Sequence, residues 1–257
     1  MMKLTRILPA IFLTLLLLGC YEVNEELTIN ADGSGVYATH MDMGQLFEMM
    51  KSMGGDDMNK EGLDKVIDTV MDLGSMTDTS TTMTAQQKEL YSKGKMRMRM
   101  NMEENLFKID MTVPFKSYAD LEYLLSGKGN PSSISNAMKK IFGKGGESNE
   151  PDAPKDPGLD EIGNIYESVV TDGLISKKIN KAKYDALMSR PEMEQMKQVT
   201  GSGLEVLYTT TFTLPRPVKE VDNPLMKLSE DKKTLTMKYN FLEVFESPEK
   251  FSYTIKY

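Results

Sequence analysis

The strongest constraint on the fold lies between residues 95 and 113. Met96, Met98, Met100 and Met102 alternate with Arg97, Arg99 and Asn101. Glu103-Glu104-Asn105 makes a polar break, and Phe107, Ile109, Met111 and Val113 alternate on the return. Successive side chains of a strand point to opposite faces, so both runs put apolar groups on one face and polar groups on the other. The pattern predicts an antiparallel hairpin with one buried face, ended by Pro114. Twenty-two methionines are the oddity of the composition. Four thioethers in alternation also suit a copper(I) site. Yet all four share one strand face, as a core stripe does, and methionine fills irregular apolar space well. The core reading is preferred.

The remaining patterns point to an α+β chain. Leu27 to Asn30 alternates, Ala31-Asp32-Gly33-Ser34-Gly35 supplies turn chemistry, and Val36 to Met43 continues extended, which reads as a hairpin. Asp32 in that turn lacks the regularly spaced acids of a calcium loop, so an ordinary turn is expected. Leu63, Val66, Ile67, Val70 and Met71 fall on one helical face, with Gly74 as a stop. Thr84 and Gln87 form a capping-box pattern for a helix reaching Tyr91. Residues 44–92 therefore read as a helical insertion. Ser117 opens a short helix carrying Leu121, Leu124 and Leu125. Residues 143–158 contain no large apolar side chain and read as a flexible exposed loop. Asp172-Gly173 reads as another hairpin turn, although residues 159–170 also suit a helix. Residues 181–199 are a helical candidate interrupted or restarted at Pro191. Three extended runs close the chain: 204–214, 235–241 and 251–257. The expected architecture is a largely antiparallel sheet of hairpins with helical insertions, in a single unit spanning residues 20–257.

Charge and rare residues exclude several classes. The 257-residue chain carries a net charge of −7, so it offers no broad basic footprint for nucleic acid. One cysteine excludes an internal disulfide framework and a cysteine-built metal cage. One histidine, His40, excludes any site that needs two.

The N-terminus reads as an address and an anchor. Lys3 and Arg6 precede twelve uncharged residues, Ile7 to Leu18, followed by Gly19 and Cys20. That run is too short to span a bilayer and fits the apolar region of a secretory signal. Leu17-Leu18-Gly19-Cys20 resembles a bacterial lipobox, cut between Gly19 and Cys20, with the cysteine sulfur then carrying a diacylglycerol. The only cysteine of the chain stands at the end of the apolar run. Residues 1–19 are thus expected to be a lipoprotein signal peptide and Cys20 the lipidation site. Loss of Lys3 and Arg6 leaves 29 basic against 38 acidic groups, a net charge of −9. Tyr21 follows the cysteine where aspartate would retain an enterobacterial lipoprotein at the inner membrane, so the outer membrane is expected.

The order of segments resembles uncharacterised lipoproteins of the Bacteroidota. The likeness rests on Cys20-Tyr21-Glu22-Val23-Asn24-Glu25-Glu26 and on the Asp32-Gly33-Ser34-Gly35 turn. It continues in Leu214-Pro215-Arg216-Pro217-Val218, in residues 227–233 and in Pro248-Glu249-Lys250-Phe251. More distantly, a lipidated cysteine leading into a Gly-Ser-Gly hairpin is similar to LppM-type lipoprotein domains. That likeness implies an α+β ectodomain with an affinity for envelope lipid. The insertion at residues 44–92 departs from it, and no ligand residue transfers.

No catalytic motif stands out. A Ser-His-Asp arrangement would need His40, which has no serine elbow to serve and reads as an exposed or edge-strand histidine. Asp56-Asp57 and Glu103-Glu104 are adjacent pairs, whereas glycosidases need two carboxyls converging across roughly 5–9.5 Å. Gly143-Lys144-Gly145-Gly146 lacks the ending of a phosphate loop. The sequence leads to a non-enzymatic, lipid-anchored envelope module without cofactor or metal. Its expected partners are the membrane, through Cys20, and an apolar or lipid ligand, with an unrecognised hydrolase as the distant alternative.

Overall fold

The computed structural model describes residues 20–45, 66–77, 83–126, 162–191, 193 and 205–257. Among these, alternating apolar runs become strands wherever a neighbour with the same period is available. The first hairpin joins β1 (Cys20–Ile29) to β2 (Gly35–Asp42). In its turn Asp32 accepts hydrogen bonds from the Ser34 backbone and hydroxyl, and Gly33 takes a φ of +83°, where glycine carries no Cβ penalty. Asp32 is a turn residue.

The methionine hairpin forms as its pattern predicts, except that its return strand is not ended by Pro114 but runs through it to Phe115. β4 (Lys95–Asn101) and β5 (Leu106–Phe115) pair antiparallel with Met98 opposite Ile109 and Met96 opposite Met111. Met96, Met98 and Met100 are each 0% exposed. Arg97 and Arg99 occupy the outer face, where they meet Asp68 and Asp110.

One expected helix is a strand. Ile67–Asp72 forms β3, antiparallel to β4, and is followed by a five-residue helix α1 (Leu73–Thr77) that contains Gly74. Residues 66–71 satisfy both periods, because Ile67, Thr69 and Met71 alternate as well as Val66, Ile67, Val70 and Met71 fall on a helical arc. β-Branched side chains and a strand partner whose arginines face Asp68 decide in favour of the sheet. The helical insertion 44–92 is therefore corrected to a mixed segment: among its described residues Gly44 and Gln45 are helical, followed by β3, α1 and α2 (Ala85–Tyr91). Leu63 and the expected loop 143–158 lie outside them.

Helix starts follow the capping chemistry. At α2 the Gln87 N–H donates to Thr84 Oγ1 (3.3 Å) and the Thr84 N–H donates to Gln87 Oε1 (2.6 Å). Thr84→Ala removes this reciprocal cap and should lower stability by about 0.5–2 kcal/mol in chemical denaturation. An unchanged midpoint would show that α2 is held by packing alone. Ser117 caps α3 (Tyr118–Leu125) by accepting from Asp120 N–H.

Later segments build a second layer. A 3-10 turn at Gly163–Ile165 leads into β6 (Tyr166–Thr171), which pairs with β7 (Leu174–Ile179) across the Asp172-Gly173 turn. α4 (Lys181–Met188) ends before Pro191. The remaining strands are β8 (Glu205–Thr213), β9 (Glu220–Val221), β10 (Met226–Leu228), β11 (Thr234–Asn240) and β12 (Tyr253–Lys256). One sheet has eight strands in the order β10-β11-β8-β1-β2-β5-β4-β3, and the other has four, β6-β7-β12-β9. All pairings are antiparallel except β1 with β8, which run parallel. The inner face of the large sheet packs on Val170, Ile175, Tyr253, Ile255 and Tyr257 of the small one.

Candidate functional site

The described residues hold two polar constellations, one between the sheets and one on the outer face. The first interrupts an apolar row. On β1, Val23, Leu27 and Ile29 are buried on the inner face, and Glu25 stands among them. Its neighbours in register are Thr39 on β2 and Thr210 on β8. The carboxylate accepts from the Tyr37 hydroxyl and from Thr210 Oγ1 (3.1 Å). Thr39 Oγ1 is buried beside them.

The small sheet answers with a cation. Lys177, between Ile175 and Ile179 on β7, has its Nζ 4.8 Å above the Tyr166 ring. It makes no ion pair within 4 Å among the described residues, although Glu25 acts on it at longer range. Burial raises the Tyr37, Tyr239 and Tyr253 phenols well above their ordinary range, and the negative charge of Glu25 adds to the effect. At neutral pH the three phenols are therefore uncharged, and of them Tyr37 donates to Glu25.

Burial lowers the pKa of the Lys177 ammonium, partly offset by Glu25. A lysine whose folded pKa is lowered weakens the fold while protonated. The cost is complete below the folded pKa and disappears as pH rises past the unfolded value of 10.5. Lys177→Met should therefore raise the thermal midpoint at pH 7 by about 2–4 °C, with the gain shrinking toward pH 10.5. Scanning calorimetry of the pair of proteins across that range is the check. A lower midpoint for the variant would mean that attraction to Glu25 outweighs desolvation.

The second constellation lies on the outer face of the large sheet. His40 Nδ1 is 2.8 Å from Asp110 Oδ1, and Arg99 Nη2 donates to Asp110 Oδ2 at 2.9 Å. Burial pushes the Asp110 carboxyl up, but the hydrogen bonds from His40 and Arg99 prevail and hold it below its usual range. Of the two readings expected for His40, exposed or edge-strand, the second is corrected: β2 lies inside the sheet, between β1 and β5. His40 is nonetheless part-exposed, because its face of the strand looks outward. Its nearest neighbours on that face, Asn24, Asp110, Ala38 and Asp42, offer no hydroxyl or thiol nucleophile.

Cys20 is the first residue of β1 and pairs in register with Glu205 of β8. Gly19, the Asp56-Asp57 pair and Gly143-Lys144-Gly145-Gly146 lie outside the described residues. Glu103 and Glu104 occupy the tight turn between β4 and β5, with Asn105 at a φ of +51°. Among the described residues no group of three or more His, Cys, Asp or Glu side chains is placed to hold a metal ion. The inter-sheet cluster was missed in the sequence. Its signal was a charged residue at the inward phase of two otherwise apolar alternations, Glu25 on β1 and Lys177 on β7. No family model, characterised protein or solved structure matches the chain.

Proposed function

We propose that the chain is a lipid-anchored lipoprotein of the bacterial cell envelope, held at the outer membrane through Cys20 and acting as a non-enzymatic binding module. The observation that carries this reading is the start of β1. The cysteine itself pairs with Glu205 in the central parallel pair, so a cut between Gly19 and Cys20 would remove an apolar leader and keep every described strand. Neither polar constellation combines a nucleophile, a base and an orienting group, which favours binding over hydrolysis.

A lipid carrier is the second reading. It is favoured by Met41, Met43, Tyr37 and Tyr239, which lie on the inner face of the sheet yet remain part-exposed. Intact-mass analysis of the protein extracted in detergent from its own envelope tests the anchor. The expected mass starts at Cys20 and includes acyl chains, and an N-terminus at Met1 would overturn the proposal. Native mass spectra of the same sample would show a retained lipid if the carrier reading holds.

A further inference from the structure

Sheet edges are ready-made templates for another chain, and folded proteins shorten or cover them. Three of the four edges here are treated in that way. β10 has three residues and β9 two. β6 is flanked by α3, whose Glu122 carboxylate accepts from the Val170 N–H at 3.0 Å.

β3 is the exception. The Leu73 N–H donates inward to the Gly94 carbonyl at 2.9 Å. By the alternation of an antiparallel ladder, Ile67, Thr69 and Met71 then also point their backbone groups at β4. The N–H and C=O groups of Asp68, Val70 and Asp72 point away from the sheet. Of these, only the Asp72 carbonyl has a partner among the described residues, the Ser75 hydroxyl at 2.8 Å. The side chains beside this edge are open as well, with Val66 74% and Val70 62% exposed.

The chemistry of a fitting partner is written on the other side of β3. β4 places Lys95 opposite Asp72 and Arg99 opposite Asp68 on the outer face, and methionines on the inner face. Arg97 then neutralises Asp68 through two hydrogen bonds of 2.9 and 2.8 Å. Asp72 makes no ion pair among the described residues. A second copy of β3 would bring two more acids and no base to this edge. A strand like β4 would bring cations to the outer face and apolar groups to the side of Ile67, Thr69 and Met71.

We propose that the outer edge of β3 accepts an extended segment of a partner protein that alternates cationic and apolar residues, joining the large sheet as a ninth strand. The backbone of Asp68, Val70 and Asp72 supplies the ladder, and the Asp72 carboxylate, which has no ion pair among the described residues, selects the partner's charge.

The probe is a fluorescent heptapeptide copying residues 95–101, Lys-Met-Arg-Met-Arg-Met-Asn, titrated into the full-length protein in detergent and read by anisotropy. Saturable binding is expected. A peptide of the same composition with its cations grouped, Lys-Arg-Arg-Met-Met-Met-Asn, should bind at least tenfold more weakly. Val70→Pro deletes an N–H that points outward and leaves the β3–β4 ladder complete, so it should also weaken binding at least tenfold. Val70→Lys, which keeps every backbone donor, should do the same through charge and guards against a folding defect in the proline variant. No saturation near millimolar peptide, equal binding of the grouped peptide, or unchanged binding by both variants would overturn the proposal. So would a concentration-dependent dimer of the protein alone that Val70→Lys dissolves, because the edge would then belong to a second copy.

Discussion

Met98→Ala and Met100→Ala should each lower the unfolding free energy by about 2–5 kcal/mol. Both side chains are 0% exposed on the inner face of β4. Burying a methionine is worth roughly 1.5–3 kcal/mol, and a truncated side chain leaves a cavity that surrounding strands close only in part. Met98 faces Ile109 across the ladder and Met100 faces Phe107, so the void would open within rigid β-structure. Leucine at either position keeps the volume and should cost less than about 1.5 kcal/mol. A copper(I) site would behave otherwise, since leucine has no lone pair to give the metal. Thermal unfolding of the Ala and Leu variants, with and without copper(I) under reducing conditions, separates the two. Strong stabilisation of the unmodified protein by copper, absent from the Leu variants, would make this face a metal site instead of a core.

Cys20→Ser should abolish acylation altogether and leave residues 1–19 attached. The expectation rests on the apolar run that ends in Leu17-Leu18-Gly19-Cys20. One acyl chain holds a protein only marginally and two or more hold it stably, so the effect on membrane retention is large. Metabolic labelling with a fatty-acid analogue reads it directly. Equal labelling of both proteins would place the lipid elsewhere or remove the anchor from the account. The fold should survive the substitution, because a serine backbone pairs with Glu205 as well as a cysteine does.

Local chemistry was the legible part of the fold. The β4–β5 hairpin is readable because every second residue from Met96 to Val113 is apolar, and the α2 cap because Thr84 and Gln87 satisfy each other's backbone. β3 was misread because its side chains fit both periods, and only the presence of β4 decides between them. The parallel pairing of β1 with β8 is remote in a stricter sense, since Thr210 reaches Glu25 across 185 residues. No period in either segment names the other. The division into two sheets was invisible for the same reason. Glu25 and Lys177 belong to both categories: each disturbs a local pattern, but what they form together depends on how the layers stack.

The open edge of β3 and the place of Cys20 bear on each other. Two copies fused β3 to β3 with their inner faces on the same side must run those strands antiparallel, about a twofold axis normal to the sheet. That rotation reverses β1, so the two Cys20 residues would sit on opposite sides of the axis, nine strand spacings or about 43 Å apart across the joined sheet. Parallel fusion would instead turn one copy over and set apolar rows against charged ones. An antiparallel pair would also carry its two proposed anchors at Cys20 on remote flanks and four carboxylates, from Asp68 and Asp72 of each copy, on one seam, so the edge suits a strand of another origin better than a second copy.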